Sequence, residues 1–458
     1  VHWRRREILA AGTAGLFGLP GAATLGRAAA SLVSEDRPGV HSEGFGRAKR
    51  CLFLFMWGGP SQLDTFDLKP DAPPEVRGEF APIPTAVPGL HICEHFSRLA
   101  GLMDRVAVIR SLTHDDPAHL SSAHTLLTGH LPPVNKSDAE PPSNRDTPHL
   151  GALLSRLRPG AGGLPPFITM PWLAYHPAAP GGRAPGQNGG FLGHAFDPLL
   201  IEGDPSQPDW SVPALTLGDG LSTERLDDRR RLLDAIDRQQ QWLARTPPAQ
   251  DLGTQQERAF GLLTTPDVRT AFDLSGEPPE TRDRYGRNLH GQCVLLARRL
   301  SERGVPFVSV NWHQDGKNFW DTHGQNFKRL KDDLIPPADQ ALSALLTDLI
   351  DRGLLDETLV VWVGEFGRRP EITAANAGRE HHPFCFSGLL AGGGVRGGAV
   401  YGRSDAHARY PADDPVSPHD LAATVLHALG IDPHTQVRDQ INRPQYVYAG
   451  RPVLPLFS

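Results

Sequence analysis

A chain of 458 residues with 39% hydrophobic side chains has room for one large α/β domain or two or three average ones, and it can bury a sizeable core. Its formal net charge of −6, with basic residues scattered, leaves no footprint for nucleic acid. The four cysteines (Cys51, Cys93, Cys293, Cys385) form no CxxC pair, which excludes a zinc finger and argues against a disulfide-built scaffold.

In chain order, the first feature is the twin arginine Arg5-Arg6, followed by a weakly apolar Gly/Ala-rich stretch and "RAAAS". A membrane helix needs about 20 strongly apolar residues in a row, and Gly12, Gly15, Gly18 and Pro20 interrupt this one. The pattern predicts a twin-arginine export signal over 1–30, a polar linker at 31–47 and a periplasmic or extracellular location. No later apolar run is long enough to span a membrane.

From residue 48 onward no internal repeat is evident, and residues 48–458 are expected to form a single domain. "RCLFLFMWGG" is a continuous apolar run of the kind expected for a strand buried on both faces of a parallel sheet. The theme repeats in "RVAVIRSL" (105–112), "PPFITMPWL" (165–173), "VPFVSVNWH" (305–313), "TLVVWVGEFG" (358–367) and "FSGLLAGGG" (386–394). Helical spacing occurs at 225–245, 285–304, 337–355 and 417–431; Ser417 or Asp420 can cap the last and Gly430 can end it. A short apolar helix is expected within "PAHLSSAHTLLTGH" (117–130). The Gly/Pro-rich stretch at about 174–224 has no period and reads as a surface excursion, placed to roof a site. Strands alternating with helices predict a doubly wound, mostly parallel central sheet with helices on both faces.

Ligands of such sheets bind beyond the carboxyl ends of the strands, and the chemically active residues follow the apolar runs. They are Ser61, Asp64 and Asp67, then His114, Asp115, Asp116 and His119, then Asp315, Asp321 and His323, and finally Glu365 and the pair His381-His382. Each alone fits a turn or a cap, but their shared placement predicts a cleft. Carboxylate plus imidazole is the donor mix for a divalent cation, with zinc, manganese, calcium and magnesium as candidates. Arg368, Arg369 and Arg379 lie close enough in sequence to grip a phosphate or sulfate group.

The motifs "LFMWGGPSQLDTFDLKP", "RDRYGRNLHGQCVLLARRL", "WDTHG", "LLDETLVVWVGEFGRRP", "GREHHP" and "LLAGGGVRGGAVYG" span nearly the whole chain. It resembles the alkaline phosphatase and sulfatase superfamily, and more narrowly a bacterial family of exported, sulfatase-like proteins, the domain of unknown function 1501. The resemblance implies an alkaline-phosphatase-like fold and a metal site built from Asp321, His323, Glu365 and His382 or its neighbour His381. Asp64 stands further along than the family's usual first Asp, whose place Gly58-Gly59 takes. The superfamily's nucleophile lies ten residues before the Gly of a Thr-Gly pair; counting back from Gly129 reaches His119, with Ser121 and Ser122 close by. Two functions follow. One is a metal-dependent hydrolase of phosphate or sulfate esters, with His119 or metal-activated water attacking, Glu365 as base or second ligand, and Arg368 on the anion. The other is a non-catalytic envelope protein that keeps the fold and one metal and recognises a sulfated or phosphorylated glycan or a partner protein.

Overall fold

Consecutive apolar residues make a strand when both sheet faces are covered, because neighbouring side chains point to opposite sides. In the computed structural model this holds for Cys51–Phe55, all buried. The structure describes residues 43–158, 163–176, 183–212, 266–312 and 319–457, with positions 225, 228, 231 and 261 besides. The expected export signal, Asp315, nearly all of the helix at 225–245, and the stretches 177–182 and 213–224 of the excursion lie outside the described residues.

The central sheet has eight strands: β1 (Arg50–Phe55), β2 (Val106–Leu112), β3 (Phe167–Met170), β4 (Leu199–Leu200), β5 (Phe307–Asn311), β6 (Thr358–Val363), β7 (Phe386–Ala391) and β8 (Val400–Tyr401). Their spatial order is β8-β2-β7-β6-β1-β5-β3-β4. β1 lies between β5 and β6, parallel to both, with Phe55 opposite Asn311 and Val363. The sheet is mostly parallel, as expected, with β7 antiparallel to both β2 and β6. An apolar run carries no direction, so composition could not distinguish the two.

That reversal decides where the site residues fall. Segments leaving β1, β2, β5 and β6 emerge on the same rim from which the chain enters β7. Residues just before β7 therefore share the rim with residues just after the parallel strands.

Helices flank the sheet: α1 (His119–Thr128), α2 (Leu150–Leu157), α3 (Leu289–Glu302), α4 (Ile335–Asp351) and α5 (Pro418–Ala428). The helix expected at 285–304 is shorter, because Asn288 caps α3 by accepting from the Gly291 N–H at 2.9 Å and Tyr285 closes a separate turn of helix, Pro279–Tyr285. Ser417 caps α5, and Asp420 completes a capping box. Part of the Gly/Pro-rich excursion joins the sheet, since β4 pairs in parallel with β3. Residues 43–47 pack on α5, with the Phe45 and His427 rings 5.3 Å apart. Among the described residues no helix is long and apolar enough to cross a membrane.

Two core histidines set an acid limit on the fold. His149 accepts from the Gly151 N–H at the start of α2 and stacks on Phe167, and burial pushes its pKa down to about 3. Burial likewise lowers His124, in α1, to about 4. The unfolded chain protonates both near pH 6.5 while the folded chain does not, so stability is complete above that pH and falls below it. Each histidine contributes a slope of about 1 kcal/mol per pH unit down to its folded pKa. Urea midpoints measured from pH 7 to pH 4.5 are expected to fall, and less steeply in His149→Asn, which keeps a capping side chain. An unchanged slope in that variant would remove His149 from the account.

Candidate metal centre

Loop 113–118 carries the chain from β2 to α1, whose first residue is His119. Its imidazole is 2% exposed and packs against the rings of Trp57, Phe366 and His381. Its Nδ1–H donates to Glu365 Oε1 at 2.6 Å. A carboxylate can only accept, so the proton sits on Nδ1 and Nε2 turns toward Asp321 Oδ2, 3.4 Å away. Among the described residues no hydrogen-bond partner satisfies Nε2, and Glu365 Oε2 is a second buried polar atom without one.

His381 repeats the arrangement. Its Nδ1–H donates to the Pro117 carbonyl at 2.8 Å, and its Nε2 lies 3.2 Å from Asp321 Oδ1. His323 repeats it again, with Nδ1–H donating to Glu380 and Nε2 standing 3.0 Å from Asp321 Oδ1. The Nε2 atoms of His323 and His381 face each other at 2.9 Å. Two imidazole nitrogens at that distance require one proton or a cation between them.

Three imidazoles thus have Nδ1 tied to an acceptor and Nε2 turned to one carboxylate. His119, Asp321 and His381 form a group able to hold a metal ion, each offering an atom within 4.8 Å of the others. Zinc ligands about 2.0–2.1 Å from the ion stand roughly 3.3 Å apart in a tetrahedron, close to the 3.4 and 3.2 Å that separate His119 and His381 from the Asp321 carboxylate. Outer acceptors on Nδ1 are the usual device for orienting metal-bound histidine.

Charge points the same way. Asp321, Glu365 and Glu380 carry three formal negative charges, and Arg368, whose Nη2 is 2.6 Å from Asp321 Oδ1, supplies one positive charge. Burial opposes ionisation of Asp321, but Arg368 and the three histidines hold its carboxyl far below the usual range. In the ion-free chain, protons offset the excess. Burial again works against the charged form of His119, yet Asp321 and Glu365 raise its pKa to about 9. The Asp321 hydrogen bond raises that of His323, whereas burial lowers that of His381.

Several expected site residues lie elsewhere. Adjacent residues of a strand face opposite sides, and the ladder pairing His381–His382 with Gly367–Arg368 turns His382 away, its Nε2 bonded to the Arg409 carbonyl at 2.6 Å. Asp64 is fully buried against Arg379 (2.8 and 3.1 Å) and takes hydrogen bonds from Ser61 and Asn326, so its lone pairs are occupied away from the cluster. Glu365 stands behind His119 and also accepts from the Gly58 N–H, which makes it an orienting group. Arg368 is fully buried on Asp321 and the carbonyls of Gly58, Gly59 and Arg379, leaving no free fork for an anion. Ser122 Oγ donates to the Asp116 carbonyl, and Ser121 Oγ accepts from the Ser137 N–H. The Leu120 N–H at the start of α1 donates to Asp138 at 2.9 Å, so a carboxylate of the chain already occupies this helix N-terminus.

Of the other rim residues, Asp67 pairs with Lys69, exposed Asp115 with Lys136, and His114 with the Glu365 carbonyl. Arg369 faces Glu371. Gly58 adopts φ +107°, and a Cβ there would collide with the Asp321 backbone, which is why no first-strand carboxylate reaches the cluster. Sequence reasoning missed Glu380 and the Pro117 carbonyl; an acid directly before the histidine pair was the available signal for Glu380.

Several solved structures align with the chain at low similarity. The lipoteichoic acid synthase of Listeria monocytogenes aligns at 11% identity and a TM-score of 0.36, over 85% of this chain and 74% of that one. A protein of the alkaline phosphatase superfamily from Vibrio parahaemolyticus aligns at 12% identity and a TM-score of 0.39, over 85% and 69%. The phosphonate monoester hydrolase of Silicibacter pomeroyi aligns at 14% identity and a TM-score of 0.32, over 90% and 76%. No curated protein sequence matches the chain. A family model does match, across residues 48–457, and the chain belongs to that family, described as protein of unknown function DUF1501.

Proposed function

We propose that the protein is an exported, single-metal hydrolase of phosphate or sulfate esters, with His119, Asp321, His323 and His381 as ligands. The observation that carries this reading is the shared posture of three imidazoles, each fixed through Nδ1 and aiming Nε2 at Asp321. A nitrogen-rich set favours zinc or manganese over calcium or magnesium, which prefer all-oxygen shells. Held by His119, Asp321 and His381, a divalent ion would supply Lewis-acid chemistry for ester hydrolysis. Glu365 and Glu380 keep the imidazoles aligned, and Phe366 walls the site against His119 and His381.

The test is metal analysis of the purified protein, combined with release assays on aryl phosphate and aryl sulfate. Metal uptake also has a predictable pH dependence. Protons hold His119 up to about pH 9 in the ion-free chain, so the apparent affinity is expected to climb about tenfold per pH unit per displaced proton and to level off near 9. Competition with a chromophoric chelator at pH 6, 7, 8 and 9 measures it; a flat profile would show that no proton leaves His119 when metal binds.

A specific observation favours the second reading, an envelope-binding protein with one metal and no turnover. The buried Arg368 and Arg379 and the helix serines Ser121 and Ser122 are occupied by internal partners. Stoichiometric metal with no ester release would select it.

A further inference from the structure

The four proposed ligands are not equally held. His119 is 2% exposed, Asp321 16% and His381 21%, while the His323 side chain and its tether Glu380 are each 42% exposed. The first three form a ligand group without His323. His119 is enclosed by Trp57, Phe366 and His381, and His381 is anchored on the Pro117 carbonyl. Among the described residues His323 meets one ring, that of His381 at 4.5 Å, and Glu380 holds its Nδ1.

Its backbone, by contrast, is fixed. Loop 322–326 is laced to 376–379 by hydrogen bonds from Gln325 N–H to the Asn376 carbonyl (2.8 Å), Asn326 N–H to the Ala377 carbonyl (2.9 Å) and Arg379 N–H to the Thr322 carbonyl (3.0 Å). Gly378 sits so close beneath that any Cβ would collide with the His323 carbonyl. Movement at this corner is confined to rotation of the imidazole about its side-chain bonds, a low-barrier event for an exposed residue.

We propose that His323 is the exchangeable ligand of the centre: the three less exposed ligands retain the metal, and His323 swings into solvent to yield its position to an oxygen ligand such as a phosphate or sulfate oxyanion. This rests on the metal reading above. No bond of the chain is made or broken beyond the ligand exchange, and Glu380 remains with the displaced imidazole.

Cobalt(II) as the added metal tests the proposal without reliance on turnover. His323→Ala is expected to keep Co²⁺ within about tenfold of the parent affinity, while Asp321→Asn and His381→Ala lose more than about 100-fold. Inorganic phosphate should change the visible Co²⁺ spectrum of the parent protein, and should bind more tightly to His323→Ala, where no imidazole has to leave. Circular dichroism of the metal-free variants confirms folding, and the exposed position of residue 323 makes that variant the robust one. Loss of Co²⁺ from His323→Ala as complete as from Asp321→Asn, or a parent spectrum indifferent to saturating phosphate, would overturn the exchange while leaving the metal site intact. A parent protein that takes up no Co²⁺ would overturn both.

Discussion

Asp321→Ala is expected to remove the metal and to destabilise the fold by roughly 3 kcal/mol, because one carboxylate serves both purposes. Its Oδ1 meets the Arg368 guanidinium at 2.6 Å as well as two imidazole nitrogens, and Arg368 is fully buried. Removing one member of a buried ion pair typically costs about 3–5 kcal/mol, since the remaining charge cannot regain water. The lower end applies here, as Asp321 is 16% exposed and Arg368 keeps three carbonyl acceptors. Denaturant unfolding of metal-free parent and variant isolates the ion-pair part, and metal content isolates the ligand part. A variant that loses metal but keeps its full stability would separate Arg368 from the site.

Asp64→Asn is expected to do the opposite: a loss of about 3–5 kcal/mol in stability with unchanged metal content. Asp64 and Arg379 are each 0% exposed and meet at 2.8 Å, and Asp64 also receives Ser61 and Asn326. Replacing both partners with apolar residues, as in Asp64→Leu with Arg379→Met, should recover much of the loss, because it leaves no unpaired charge. Unfolding curves and metal analysis on the same preparations decide the matter. Metal lost in Asp64→Asn with stability intact would return Asp64 to the ligand set.

Most of the sheet was legible in the sequence because strands buried on both faces advertise themselves as unbroken apolar runs; Leu52, Val308 and Val360 lie side by side across its centre. The direction of β7 was not legible, nor was β4, a two-residue strand too short for any period. In the site, Asp321 and His323 were readable from "WDTHG" following an apolar run. The choice between His381 and His382 depended on a ladder register set by Gly367–Arg368, which neighbouring residues cannot reveal. Asp64 misled for a related reason: its partner, Arg379, is far away in sequence. His119 was found as a position, but its place among the ligands depends on Glu365 behind it and on a backbone carbonyl at Pro117 holding its neighbour.

The left-handed turn at Gly58 has a consequence for anyone wishing to redesign the rim. Two backbones pass there with no gap between them, Gly58 lying against Trp320 and Asp321 while both of its peptide groups are already engaged, the nitrogen by Glu365 and the oxygen by Arg368. Grafting an acid onto this corner to recruit a companion ion would meet a shortage of space before any shortage of donors. Converting this chain to a binuclear centre must therefore begin by rerouting the 320–321 segment.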